Sequence, residues 1–115
     1  MAQFLRLKKN REYRKVYKYG QKVADRNLVL FVLANRTGES RFGFTVSKKV
    51  GKAVVRNKVR RWFKEVCRHH HQEFPVSFDY VLLARKAVVD RDYHIVEESL
   101  MKLLKKVVLQ KGHKR

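Results

Sequence analysis

Nine cationic side chains fall between Glu39 and Glu65 with no acid among them: Arg41, Lys48, Lys49, Lys52, Arg56, Lys58, Arg60, Arg61 and Lys64. Arg56 and Arg60, or Arg60 and Lys64, stand four apart, a spacing at which like charges on a helix repel. A solvated helix face usually mixes both signs, so a run of one sign calls for a polyanion to neutralise it, and polyphosphate has that chemistry. Asn57, uncharged within the run, adds an acceptor where its neighbours offer only donors. It either holds the backbone near the start of the helix or reads a sugar hydroxyl or base edge. Gly51 and Lys52 lack the G-x-x-x-x-G-K-[ST] spacing of a phosphate loop, so nucleoside triphosphate binding is not expected. A helix beginning near Val55 would still offer free backbone N–H groups to a phosphate.

Tyr13 and Tyr17 are four apart and share a helix face with Val16, among Arg11, Arg14, Lys15 and Lys18, while Phe31 lies in a later apolar run. Two readings are open for these three aromatics. They are core, bridging a helix to a sheet, or they are stacking surfaces beside cations, the combination that holds single-stranded nucleic acid.

Catalytic patterns are missing. Consecutive helical residues diverge by about 100°, so His69, His70 and His71 do not converge on one ion, and neither C-x-x-C nor H-E-x-x-H accompanies them. No metal site in the protein is expected. Cys67 has His70 and His71 a turn away but belongs to no nucleophile motif; it reads as a small apolar helix residue, and as the single cysteine it forms no internal disulfide. Asp79, Asp90, Asp92, Glu97 and Glu98 show no spacing suited to two-metal chemistry. No catalytic residue is expected in the polypeptide.

The elements that would position these groups follow from periodicity. Asn10 to Tyr19 reads as a short helix, Asn10 being a good N-cap and Gly20 a suitable C-terminal glycine. The run LVLFVLA from Leu28 to Ala34 suits a strand covered on both faces, and Ser40 to Ser47 alternates, with Phe42, Phe44 and Val46 on one face and Arg41, Gly43 and Thr45 on the other. The short loop at Thr37-Gly38-Glu39 makes these two a hairpin. In the next helix Val55, Val59, Trp62, Phe63, Val66 and His70 share a sector opposite Arg56, Asn57, Arg60, Arg61, Lys64 and Arg68. FDYVLLA, Phe78 to Ala84, is a third strand, and Asp92 caps a last helix through Val96, Leu100, Leu103, Leu104 and Val107. The order is α-β-β-α-β-α, an α+β domain with helices against a small sheet.

The whole chain agrees. Its 115 residues carry a formal charge of +19, 44% are apolar and one is proline, which suits one domain over 1–115, with frayed basic ends outside about Phe4 to Leu109, rather than a disordered basic tail. No apolar run approaches the ~20 residues of a membrane span and no signal-like segment opens the chain. A cytoplasmic protein without membrane contact is expected.

The stretch FGFTVSKKVGKAVVRNKVRRWFKEV, Phe42 to Val66, together with RLKKNREYRKVYKYG before it and DYVLLARKAV after it, resembles the bacterial ribonuclease P protein component, the family with an RNR-type basic motif entering a helix. The resemblance implies a left-handed β-α-β crossover around that helix, an exception to the usual handedness. It implies two partners, a catalytic RNA subunit and precursor tRNA with its 5′ leader; no protein partner is evident. Removal of the leader would be carried out by the RNA, with Mg2+ held mainly by RNA and substrate. Residue by residue, it assigns Lys48, Lys49, Lys52, Arg56, Asn57, Lys58, Arg60 and Arg61 to the catalytic RNA, and Tyr13, Tyr17 and Phe31 to a cleft for the leader. Lys58 stands where many relatives have arginine, which removes a bidentate phosphate contact and leaves a point charge. Size and charge alone equally suit a general RNA-binding or ribosomal structural protein without a role in 5′ processing.

Overall fold

The computed structural model describes residues 5–113; the first four and last two residues, Phe4 at the expected start of the domain among them, lie outside it. In chain order the elements are β1 (Leu5–Arg6), α1 (Asn10–Tyr19), β2 (Gln21–Ala24), β3 (Leu28–Ala34), β4 (Arg41–Thr45), α2 (Ala53–His69), β5 (Phe78–Ala84) and α3 (Tyr93–His113), with short 3-10 turns at His71–Glu73 and Lys86–Asp90. The sheet runs β1-β4-β5-β3-β2. β1, β4 and β5 are parallel neighbours, and β3 lies antiparallel between β5 and β2.

Helices cover both faces of this sheet, which is why its central strands are apolar throughout. Leu28, Leu30 and Val32 of β3, Tyr80 and Leu82 of β5, and Phe42 and Phe44 of β4 pack with Val59, Phe63, Val66 and Cys67 of α2 and with Val96, Leu100, Leu103, Leu104 and Val107 of α3. The opposite face carries a smaller core, in which Phe31 and Val81 meet Val16 of α1 and Leu7. Register explains the division. Phe31, Val81 and Gly43 lie side by side across three strands, so all three point toward α1. The alternation expected in β4 is therefore present, and Asp92 caps α3 by accepting from Ile95 N–H at 3.0 Å.

The hairpin expected between Leu28–Ala34 and Ser40–Ser47 does not form. β5 is inserted between β3 and β4, and α2 provides the crossover that parallel strands require. The loop does reverse the chain, with Arg36 and Gly38 in left-handed conformations, but its two arms bond to a third segment. Asn35 N–H donates to Ser77 O, and Ser77 N–H donates to Glu39 O, so the chain entering β5 takes the place of direct pairing. The hairpin that exists joins β2 to β3, through Asp25, whose Oδ1 accepts from the backbone of Asn27 and Leu28. Asn10 is the first helical residue rather than the cap, which is Lys9, and Gly20 is extended rather than left-handed. Glycine is needed at 20 for space, because a Cβ there would lie 2.6 Å from Val16 O and 3.0 Å from Val32 O. α3 continues to His113, past Leu109, where the folded domain was expected to end.

Candidate nucleic-acid interface

A ten-residue helix is marginal in isolation, and α1 persists because two devices hold it. Val16 is fully buried against the sheet. At the other end, Glu12 Oε1 accepts from Lys8 N–H and Lys9 N–H, each at 3.0 Å, and Arg41 Nη1 donates to Glu12 Oε2 at 3.2 Å. The Lys9 and Lys8 amide bonds, aided by the Arg41 charge, keep the Glu12 carboxyl below its ordinary pKa. Arg11, Arg14, Lys15 and Lys18 are left exposed on the outer surface.

Beneath α1 the aromatics are graded in exposure. Phe31 is 9% exposed and Tyr17 37%, with their rings edge to face at 4.9 Å. Tyr17 Oη and Thr45 Oγ1 share a 2.6 Å hydrogen bond. Burial raises the Tyr17 phenol above its ordinary pKa against the opposing effect of that bond, so the hydroxyl stays neutral. The Tyr13 ring lies against the β4 backbone at Gly43, where a Cβ would come within 2.5 Å of Tyr13 Cε1. Between α1 and the end of β4 opens a groove of about 420 Å³, lined by Asn10, Tyr13, Arg14, Tyr17, Phe44, Thr45, Val46 and Arg60. Burial separates the three aromatics, with Tyr13 also packed partly against the smaller core. Phe31 is core beneath the groove, while Tyr13 and Tyr17 form its wall.

The cationic segment lies alongside. After β4, a turn closed by Val50 N–H to Ser47 O at 3.0 Å buries Val50 and leaves Lys48, Lys49 and Lys52 exposed. α2 then begins with no side-chain cap and no acid in its first turn, so its amide groups and positive dipole end are left for an outside anion. Asn57 and Arg61 are exposed, and Arg56, Lys58 and Arg60 are half-buried. Arg60 Nη1 donates to Asn57 Oδ1 at 2.9 Å, so the asparagine's acceptor is engaged by a neighbouring cation of the same helix. The Lys58 ammonium sits 5.2 Å from the centre of the Trp62 ring.

Arg60 belongs to both surfaces, since it stands on the cationic helix and also lines the aromatic groove. Sequence reasoning placed it on one surface only. It also missed Thr45 and Gly43, although a lone glycine within an alternating strand signals a close approach. Arg6, with its guanidinium 4.7 Å from the centre of Phe44, gave no signal. Arg41, counted with the acid-free run, is engaged internally: its Nε and Nη2 donate to the two Asp79 oxygens at 2.7 and 2.8 Å. Behind α1 that pair borders a second cleft of about 670 Å³, where Arg11, Lys15 and Arg36 supply further positive charge. Cys67 is buried and desolvation pushes its thiol well up, which excludes a reactive thiolate at neutral pH. No helix among the described residues is long and apolar enough to cross a membrane.

A family model described as "Ribonuclease P" matches residues 1–108. The ribonuclease P protein component of Pelotomaculum thermopropionicum is 43% identical over 106 residues, covering 92% of this chain and 95% of that protein. Among solved structures, the Staphylococcus aureus RNase P protein superposes with a TM-score of 0.83 at 33% identity, covering 91% of this chain and 96% of that one. The RNase P protein from Thermotoga maritima gives 0.81 at 33% identity, covering 88% and 96%.

Proposed function

The chain belongs to the ribonuclease P protein family, and from that premise we propose that it binds the catalytic RNA of ribonuclease P through one surface and the 5′ leader of precursor tRNA through the other. The observation that carries this reading is the junction at Arg60, where a helix face lined with Arg56, Lys58 and Arg61 meets a groove walled by Tyr13 and Tyr17. On the helix side, cations pair with RNA phosphates and release condensed counterions, a term that supplies affinity without reading sequence. In the groove, leader bases stack on tyrosine, each contributing roughly 1–3 kcal/mol with little base preference. Phe31 supports the Tyr17 ring from below.

Phosphodiester hydrolysis in this scheme belongs to the RNA. No carboxylate occurs between Glu39 and Glu65, and Glu12 and Asp79 are both engaged by Arg41. The RNA-facing surface therefore does not fit a resident Mg2+, whose ligands are oxygens. What the polypeptide contributes is positive charge and placement of the leader. We take residues 1–115 as one RNA-binding domain acting in the cytoplasm.

The test is reconstitution with the matching catalytic RNA at low Mg2+. The protein should stimulate leader removal, and the holoenzyme should bind leader-bearing tRNA more tightly than mature tRNA. Equal affinity for the two, with no stimulation, would leave only a general RNA-binding protein.

A further inference from the structure

On the other side of the sheet from α1, the end of α2 meets the start of α3. α2 ends at His69, and His70 leaves helical geometry, with φ −105° and ψ 21°. That departure breaks the 100° progression between neighbours, and the two imidazoles meet edge to face with ring centres 5.1 Å apart. Glu97 reaches them from α3. One ligand atom each from His69, His70 and Glu97 lies within 4.8 Å of the other two. The three histidines do not gather at one point, His71 standing apart from the group, but two of them come together with Glu97 because the helix ends between them.

We propose that His69, His70 and Glu97 form a binding site for a divalent transition metal of the zinc type. Two imidazoles and a carboxylate are a donor set that zinc accepts at roughly 2.0–2.2 Å per ligand, leaving a fourth position for water. His70 is already oriented for this. Its Nε2 faces Glu97 Oε2 at 2.7 Å, and its Nδ1 is bonded to Glu73 Oε2 at 2.5 Å. A carboxylate on the far nitrogen fixes the tautomer and orientation of a ligating histidine. A metal ion entering the site replaces the proton on Nε2, which is released to solvent, and the Nε2 and Glu97 oxygen move apart to admit it. His69 is exposed, so its ring is free to close the remaining distance. Imidazole nitrogens favour zinc, cobalt or nickel over magnesium, which separates this site in chemistry as well as position from ions held by RNA. The bound ion would tie the end of α2 to the first turns of α3.

Calorimetric titration of the full chain, freed of metal by a chelator, with Zn2+ should give one ion per chain, unaffected by a large excess of Mg2+. Co2+ in the same site should show the visible absorption of a low-coordinate nitrogen and oxygen environment. Substitution of the exposed ligand, His69→Ala, and of the acid, Glu97→Gln, should each weaken Zn2+ binding by more than about tenfold, and Glu73→Gln by about 10- to 100-fold through loss of orientation. Circular dichroism checks that each variant is folded, and His69→Ala carries the test if Glu97→Gln is not. Failure to bind one Zn2+ per chain, unchanged affinity in His69→Ala, or displacement by Mg2+ would overturn the proposal.

Discussion

Glu12 shows how much one side chain of α1 holds in place. Its carboxylate accepts two backbone N–H groups ahead of the helix and meets Arg41, which in turn grips Asp79. Those bonds depress its pKa in the folded state. Their stabilisation is therefore complete above the ordinary carboxylate pKa and is lost as pH falls through the depressed value. Glu12→Gln should lower unfolding stability by about 1 kcal/mol at neutral pH, water competing at this partly exposed site, and the two proteins should converge in acid. Denaturant titrations at several pH values give both numbers. Gly43→Ala acts through space alone. A methyl group there meets the Tyr13 ring, so the ring must swing out of the groove or the strand must shift, an overpacking cost of about 1–3 kcal/mol. Crosslinking of leader to the groove should fall in parallel. Tyr17→Ala removes the edge contact with Phe31 and the Thr45 bond, yet its exposure predicts a folded protein by circular dichroism. It should lose roughly 1–3 kcal/mol of preference for leader-bearing substrate; global unfolding would instead return Tyr17 to the core. The residue types alone left core and stacking both open for these aromatics, and separating Phe31 from the tyrosines required burial, which depends on register across three strands.

At the scale of elements, α2 combines what the other helices do separately. Its apolar sector, Val59, Phe63 and Val66, was legible from period alone and is buried, and its cationic sector follows by subtraction. The segments Leu28–Ala34 and Phe78–Ala84 were legible to the residue as strands, the first being a continuous apolar run that needs cover on both faces. Their pairing was not. Local pattern marks a turn near Gly38, but whether its arms pair or admit a third strand depends on β5, forty residues later, and β1 and β2 are too short to show a period. The same limit applied to Arg60, which sequence placed on the helix face and the fold placed at the groove as well. A separation of effects follows. Arg61→Ala should weaken assembly with the catalytic RNA and reduce the salt slope of binding by roughly 0.7–0.9, with leader preference unchanged. Arg60→Ala should reduce both. Salt titrations of RNA affinity, run beside competition between precursor and mature tRNA, distinguish the two variants; identical behaviour would mean that Arg60 serves one surface only.

For the whole molecule, the formal charge of +19 acts in two directions that salt tells apart. Charges of one sign along α1, the turn before α2 and α2 itself repel within the free protein and oppose compaction. Raising ionic strength shortens the Debye length from about 10 Å at 0.1 M to about 3 Å at 1 M, which relieves that repulsion. The Arg41 bridge between Glu12 and Asp79 responds in the opposite sense, but it is bidentate, and Asp79 is mostly buried, so screening reaches it weakly. The free protein should accordingly unfold at a higher temperature as salt rises. Its affinity for RNA should fall over the same range, because the counterions released on binding must be released into a more concentrated solution. A single-stranded RNA added at low salt should stabilise the protein as salt does, by neutralising the same surfaces, and its effect should vanish at high salt. Thermal unfolding across a salt series, with and without RNA, measures all three. If the free protein were instead to melt earlier in salt, the internal ion pairs would outweigh the repulsion, and the surplus charge would exert no strain for an RNA to relieve.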